Sequence, residues 1–395
     1  MKRTFIANLI PGMVTGEDVY SYSNQLIVSK GTVLTDKIIT RLEFYSVPSI
    51  RIMENEVQEP TISDPYSARI QASPEFHKFK ETFDTTIVDF KDQINDIVEK
   101  GAPIDVSAML DDTLKLLQAD GENVNFFNML HNMRAYDDLT YAHCLNVALI
   151  CNVFAGWLHF SQEDIELATL CGLFHDIGKL CIPDSIIKKP DRLTNEEYDV
   201  IKTHTIEGYK ILQNQPVNDH IKNAALMHHE RCDGSGYPFG LTGNRIDKFA
   251  KIVSIADVYD AMTAARVYRG PLCPFTVIDI FEKEGLQKYE SEYILCFLKN
   301  VVLTYIGQRV RLTNGQEGDV VFINPQQLSR PMIKCGDTFV DLSKQKDIAI
   351  ERLLEFHLYK TTGTFLGTSH FFSLSNFQFQ LLDFFFICRF FNLSS

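Results

Sequence analysis

Seven side chains in the middle third of this chain have the chemistry of metal ligands: His143, His175, Asp176, His204, His228, His229 and Asp257. That mixture of imidazoles and carboxylates suits iron, manganese, zinc or cobalt, and it requires no thiolate. His175 and Asp176 are adjacent, in Phe174-His175-Asp176-Ile177-Gly178-Lys179. Neighbours on a helix diverge by about 100°, so such a pair rarely serves one ion. The divergence becomes useful when Asp176 bridges two ions and His175 binds one of them, which predicts a two-metal hydrolytic site.

The surroundings of these residues matter as much as their types. A helix-borne histidine among apolar neighbours is usually a hydrogen-bonded core residue, and His131, His159 and His220 are read that way. His143, taken alone, is balanced between ligand and core. Carboxylates are harder to place in a core, because burial requires a compensating charge. Asp257 nevertheless lies amid Ile252, Val253, Ile255, Ala256 and Val258. Two ions about 3.5–4 Å apart can share a hydroxide nucleophile and hold a phosphate oxygen in line. Lys179, one turn beyond the pair, either brings positive charge to that phosphate or is a solvated helix-end lysine. The run from His228-His229-Glu230 through Asp233-Gly234-Ser235-Gly236-Tyr237-Pro238 specifies a rigid loop beside the site. Arg231 and Tyr237 are placed there to touch a substrate, whereas Ser235 reads as turn chemistry.

These ligands need elements to hold them. His143, Val147, Ile150, Cys151, Phe154 and Leu158 share one face of a helix starting near Asp137. Leu167, Leu170, Cys171 and Phe174 do the same on the helix delivering His175. Thr194 and Glu197 form a capping box that opens a helix expected to reach His204. Ile221, Ala224 and Ala225 line a helix ending at His228-His229, and Phe249 to Ala265 is a further helix carrying Asp257. The fold class expected is mainly α: an all-helical catalytic domain over 75–300. A small α+β module over 1–55 precedes it, joined by a polar linker over 56–74. Its strands are Leu26-Ile27-Val28 and Ile50-Arg51-Ile52, with a helix over Asp36–Tyr45. A β-rich extension over 306–358 follows, including a hairpin turning at Asn314-Gly315 and a strand at Phe339–Leu342. The tail over 361–395 holds ten of the 29 phenylalanines and reads as a poorly ordered appendage. No internal repeat is evident.

The net charge of −13 argues against nonspecific binding to nucleic acid or membranes. It still permits a small anionic ligand, because bound ions and a few cations can reverse the local field. Nine cysteines form no CxxC pair and suit a reducing cytosol. No signal peptide and no apolar run long enough for a transmembrane helix are read, so a cytoplasmic protein is expected.

These features resemble the HD-GYP family, a bacterial branch of the HD-domain metal-dependent phosphohydrolases. The resemblance covers roughly residues 130–290. It rests on Thr140-Tyr141-Ala142-His143, His175-Asp176-Ile177-Gly178-Lys179, Lys189-Pro190-Asp191-Arg192-Leu193-Thr194 and His204. It continues through His228-His229-Glu230 with Gly236-Tyr237-Pro238, Ala256-Asp257-Val258-Tyr259-Asp260 and Arg266-Val267-Tyr268-Arg269. It implies hydrolysis of cyclic di-GMP to pGpG, and onward to GMP in some cases. One ion would be held by His143, His175, Asp176 and Asp257, the other by Asp176, His204, His228 and His229. The ions would be iron or manganese, with zinc, cobalt or nickel as alternatives. Lys179 would face the scissile phosphate; Arg231, Gly236, Tyr237, Pro238 and Arg269 would contact substrate. Beside the cyclic dinucleotide, the partners considered are a signalling protein docking on the Gly-Tyr-Pro loop and a second copy of the chain in a homodimer. Members that bind a third ion use a glutamate four residues before the first histidine. Here that position is Leu139, which cannot ligate, so two ions are expected.

Other readings compete with this one. An HD phosphohydrolase could act on a different nucleotide or cyclic dinucleotide. A di-iron site could do oxygen chemistry, and a non-catalytic receptor or docking platform could bind cyclic di-GMP without cutting it.

Overall fold

The computed structural model of the chain describes residues 2–6, 9–21, 25–45, 47, 49–53, 70, 72–118, 126–132, 139–187, 194–263 and 273–354. Most of the expected 56–74 linker and the whole phenylalanine-rich tail lie outside the described residues. So do Arg269 and the Lys189–Leu193 part of the family pattern.

The N-terminal residues build two antiparallel strand pairs beside one helix. β1 (Lys2–Phe5) pairs with β4 (Ser49–Ile52), and β2 (Val19–Tyr20) pairs with β3 (Leu26–Val28). Helix α1 (Asp36–Phe44) starts at Thr35, whose side chain accepts a hydrogen bond from the Ile38 N–H. Leu9, Ile27, Ile39, Leu42 and Ile50 close a small core of their own.

The central region is helical. α2 (Pro74–Lys100) opens on the Ser73 cap with Pro74 in its first turn, and ends at Gly101 with φ 65°. Phe76, Phe79, Phe83, Ile87, Phe90, Ile94 and Ile97 recur at helical spacing and are buried on one face. Each buried phenylalanine is worth roughly 1.5–3 kcal/mol over an exposed one. α3 (Val106–Gln118), α4 (Phe126–Asn132), α5 (Leu139–Trp157), α6 (Gln162–Phe174) and the short α7 (Asp184–Ile187) follow. α5 and α11 (Lys248–Thr263) are apolar nearly all round, and they occupy the centre. α5 and α6 approach closely because Gly172 has no side chain; a Cβ there would lie 2.8 Å from Ala148 Cα. α5 ends on His159, whose φ is 56°. The His159 N–H bonds to Gly156 O and the Phe160 N–H to Ala155 O, which closes the helix end. His159 is therefore an exposed turn residue, not the core histidine expected. His220 is half-buried and bonds Asp247 at 2.6 Å. The side chain of His131 lies outside the described residues.

α12 (Pro274–Glu284) is a strut that both flanking regions grip. Asp279 pairs with Lys37 of α1 at 2.8 Å, and Glu284 with Arg41 at 2.8 Å. The Glu282 carboxylate accepts the N–H groups of Leu328 and Ser329 at 2.6 and 3.1 Å. After α13 (Ser291–Leu303) come β5 (Arg309–Leu312), β6 (Glu317–Phe322), β7 (Met332–Cys335), β8 (Thr338–Asp341) and β9 (Ile350–Leu353). They form one antiparallel sheet in the order β8-β7-β6-β5-β9. The β5–β6 hairpin turns at Asn314-Gly315, with Gly315 at φ 83°. β7 and β9 were not expected, because four-residue strands with one or two buried apolar side chains give little pattern to read. No helix among the described residues is long and apolar enough to cross a membrane.

Candidate metal centre

His175 and Asp176 do not sit inside a helix. α6 ends at Phe174, His175 is its cap, and at Asp176 (φ −106°, ψ 10°) the chain tightens into a 3₁₀ turn over Ile177–Cys181. Gly178 accounts for the change. A Cβ at Gly178 would lie 1.9 Å from His204 O and 2.4 Å from Gly208 N. The 3₁₀ turn therefore lies backbone to backbone on α9 (His204–Gln213), which carries Asp176 to His204. In a 3₁₀ turn residues three apart eclipse, and Lys179 Nζ stands 2.5 Å from Asp176 Oδ2.

His204 is also delivered differently from the single helix expected. α8 (Asn195–Lys202) keeps its Thr194–Glu197 capping box but stops short. The Thr203 hydroxyl donates to the Val200 carbonyl at 2.6 Å. An unbroken helix would give that carbonyl to the His204 N–H. His204 instead opens α9. His228 caps α10 (Asp219–Met227), and Asp257 lies mid-way along α11.

All seven candidate ligands converge on the Asp176 carboxylate, itself 1% exposed. Its two oxygens face opposite ways. Oδ2 lies 3.7 Å from His143 Nε2 and 3.3 Å from His175 Nε2. Oδ1 lies 3.4 Å from His204 Nε2 and 3.6 Å from His228 Nε2. Asp257 places Oδ1 at 3.0 Å from His143 Nε2 and Oδ2 at 3.9 Å from His229 Nδ1. Two clusters result: Asp176, His204, His228 and His229, and His143, His175 and Asp257. Within each cluster the ligand atoms lie within 4.8 Å of one another.

The rings are aimed by hydrogen bonds at their other nitrogens. His175 Nδ1 donates to Gly172 O and His204 Nδ1 to Ile201 O, both at 2.7 Å. His228 Nδ1 meets Ala224 O at 3.0 Å and Ala225 O at 3.1 Å. Donation from Nδ1 leaves the Nε2 lone pair free toward the centre. Burial, outweighing attraction to Asp176, pushes His204 down to about 3. Burial likewise holds His228 and His229 below the ordinary imidazole value. His143 goes the other way. Burial lowers it, but hydrogen bonds to Asp257 and Asp260 prevail and raise it to about 10. Burial raises Asp176 and Asp257, yet Lys179 for the first and His143 for the second leave both well below the carboxylate range.

Four buried polar atoms here make no hydrogen bond: His175 Nε2, both Asp176 oxygens (Lys179 pairs with one ionically) and His229 Nδ1. Orphaned lone pairs converging from neutral imidazoles and ionised carboxylates are costly without a cation. The donor set fits divalent metal ions.

Comparison with known proteins agrees. Residues 106–293 match the HD domain family. A cyclic di-GMP phosphodiesterase of Pseudomonas aeruginosa is 33% identical over 207 residues, 52% of this chain and 50% of that protein. A cyclic di-GMP phosphodiesterase response regulator of Xanthomonas campestris pv. campestris is 40% identical over 136 residues, 34% of this chain and 36% of that one. The 3'3'-cGAMP-specific phosphodiesterase 1 of Vibrio cholerae is 39% identical over 156 residues, 40% of this chain and 36% of that one. The chain spans half or less of the length of these relatives. Residues 106–293 are thus an HD domain, and these similarities support the resemblance to the HD-GYP family.

The loop that gives HD-GYP proteins their name is fixed from beneath. The buried Glu230 carboxylate accepts the N–H groups of Phe239 and Leu241, each at 2.8 Å. Gly236 lies on the backbone of His229–Arg231, where a Cβ would come within 2.5 Å of three atoms. Tyr237 is stacked on His229 with ring centroids 4.6 Å apart, and Pro238 follows a cis peptide. Ser235 bonds Asp233, as turn chemistry requires. Arg231 departs from its expected place at the substrate. It is buried, and its Nη1 donates to His228 O at 3.0 Å and Glu230 O at 2.9 Å. Its guanidinium holds the ligand turn.

Three residues were missed by the sequence reading. Asp260 holds His143 Nδ1 at 2.7 Å; its signal is a second carboxylate three residues after Asp257 on an apolar helix. Glu230 carries the loop, and Gly178 sets the approach of Asp176 to His204. Neither role has a local signal, because both depend on chain segments distant in sequence. The side chain of Leu139 lies outside the described residues.

Proposed function

We propose that the chain is a phosphodiesterase hydrolysing cyclic di-GMP to pGpG with two divalent metal ions, iron or manganese. The observation that carries this reading is the split of Asp176. One oxygen faces His143 and His175, and the other faces His204 and His228. His143, His175, Asp176 and Asp257 would hold one ion, and Asp176, His204, His228 and His229 the other. Bound there, the ions supply Lewis acidity and a hydroxide nucleophile at neutral pH.

The chain's own residues do the rest. Lys179, 28% exposed and paired with Asp176, is the cation able to turn to a phosphate at the centre. Water adds across one P–O3′ bond, leaving a 5′-phosphate and a 3′-hydroxyl. Metal and lysine charge offset the phosphate, which reconciles the substrate with a chain of net charge −13. Tyr237, stacked on His229, lies where a substrate would meet the site. The exposed Phe239 marks the loop as the surface for a signalling-protein partner. A cytoplasmic location suits a cyclic dinucleotide substrate.

A second cyclic dinucleotide is the main rival, because one similar protein is specific for 3'3'-cGAMP. Anaerobically purified protein, analysed for metal and then assayed on cyclic di-GMP, 3'3'-cGAMP and cyclic di-AMP, decides between them. Turnover of cyclic di-GMP to pGpG is expected. Cleavage only of another dinucleotide would replace the substrate, and tight binding without turnover would replace the enzyme with a receptor.

A further inference from the structure

Helix α1 contributes to two cores. Its Ile39 and Leu42 belong to the N-terminal module, while Phe44, 2% exposed, belongs to the core of the catalytic region. Phe44 meets Phe281 edge-on at 5.5 Å and Tyr289 edge-on at 6.1 Å between ring centroids. The Arg231 guanidinium lies over the Tyr289 ring, 5.1 Å from its centroid. Arg231 in turn holds the carbonyls of His228 and Glu230, the residues on either side of His229.

A parallel connection runs beside this one. Lys288 stands over the Tyr45 ring at 5.0 Å, and its carbonyl accepts the Cys232 N–H at 2.7 Å. The strap between α12 and α13 thus touches α1 on one side and the ligand turn on the other.

We propose that α1 acts as an intramolecular clamp on the His228–His229 turn, with Arg231 and Tyr289 as the positioning residues through which it works. The geometry gives the reason. The His228–His229 and Glu230–Arg231 peptide planes bracket His229 and set the course of the turn that aims both imidazoles, and Arg231 fixes those planes by grasping their carbonyls. Arg231 is kept in place by the Tyr289 face, and Tyr289 is backed by Phe44. A shift of the module that withdraws Phe44 would leave a void behind Tyr289 and loosen the second cluster of ligands. The module thereby becomes an input to metal occupancy. The inference rests on the metal reading given above.

The test is a Mn²⁺ titration of the full chain, combined with hydrogen exchange at the amides of residues 228–232. Arg231→Met is expected to weaken Mn²⁺ binding at one of two sites about tenfold, the usual effect of removing a ligand's support. Tyr289→Leu should follow it, and Phe44→Ala should weaken binding about fivefold, within the usual span of coupling between sites. All three should speed exchange at 228–232 while α13 stays protected. Tyr289→Phe should be silent, because the Tyr289 hydroxyl has no hydrogen-bond partner. Lys37→Ala, on the same helix but outside the ring stack, should also be silent. If Phe44→Ala does not fold, Phe44→Leu gives the smaller effect of the same sign. A wild-type chain holding two Mn²⁺ whose affinity ignores Arg231→Met, Tyr289→Leu and Phe44→Ala would overturn the clamp alone. A wild-type chain that takes up no Mn²⁺ would overturn the metal reading and the clamp together.

Discussion

The two halves of the centre hold similar ligands by different means. In the half formed by His143, His175 and Asp257, His175 rests on the Gly172 carbonyl but the support of His143 is acidic. His143 is gripped at both nitrogens, by Asp260 at 2.7 Å and Asp257 at 3.0 Å. Around His204 and His228 the support comes from carbonyls of the preceding turn, and Asp176 is the carboxylate in that cluster. The consequence is electrical. Without metal, the first half stores a proton on His143, whereas the second presents neutral imidazoles. A cation entering the first half must displace that proton. A cation entering the second displaces nothing from the rings.

Asp176 belongs to both halves, so its loss should have the largest effect. Asp176→Ala is expected to retain neither ion and to abolish hydrolysis, as read by metal analysis and assay of one sample. Two ions per chain in that variant would break the comparison at its hinge. Lys179→Met comes next. It should cut kcat by roughly a hundredfold, the scale for losing a positioned charge at a developing anion, with metal content unchanged. An equal loss of metal would instead make Lys179 a support for Asp176.

Much of this arrangement could be read from the sequence, and the limits have physical causes. The apolar faces bearing His143 and Asp257 repeat at helical spacing, and the Thr194–Glu197 capping box is a local pattern, so their helices were legible. The breaks were not. The 3₁₀ turn at Asp176 depends on Gly178 meeting the backbone of α9, and the stop at Thr203 on a hydroxyl competing for one carbonyl. The first is decided by tertiary packing and the second by which rotamer Thr203 adopts, and residue type and spacing encode neither. Arg231 shows the same limit in reverse. A cation beside the ligand histidines suggested a substrate contact, but the strap carrying Tyr289, more than fifty residues later in the sequence, claims its guanidinium.

Asp260→Asn separates the halves more gently. It should weaken the first site about tenfold, as loss of a ligand's hydrogen-bond partner commonly does, and leave the second unchanged.

The last test is in pH, and it addresses the electrical contrast directly. His143 is raised in the folded protein. Its contribution to metal-free stability is therefore full below the unfolded imidazole value and lost as pH rises through about 10. His204 is lowered, so its contribution is full above the unfolded value and lost as pH falls toward about 3. Metal-free protein should accordingly lose stability toward alkali through the first half and toward acid through the second. Metal binding should follow the same division. Uptake at the first site releases the His143 proton, so its affinity should rise about tenfold per pH unit between about pH 6 and 8. The second site should be nearly flat over that range, because its rings are already neutral. Calorimetry in buffers of different ionisation enthalpy counts the released proton. Asp260→Asn removes one of the two carboxylates that keep His143 charged, so it should flatten the steeper slope. Equal slopes at both sites in the wild-type chain would show that the two halves store no different charge, and would remove the contrast between them.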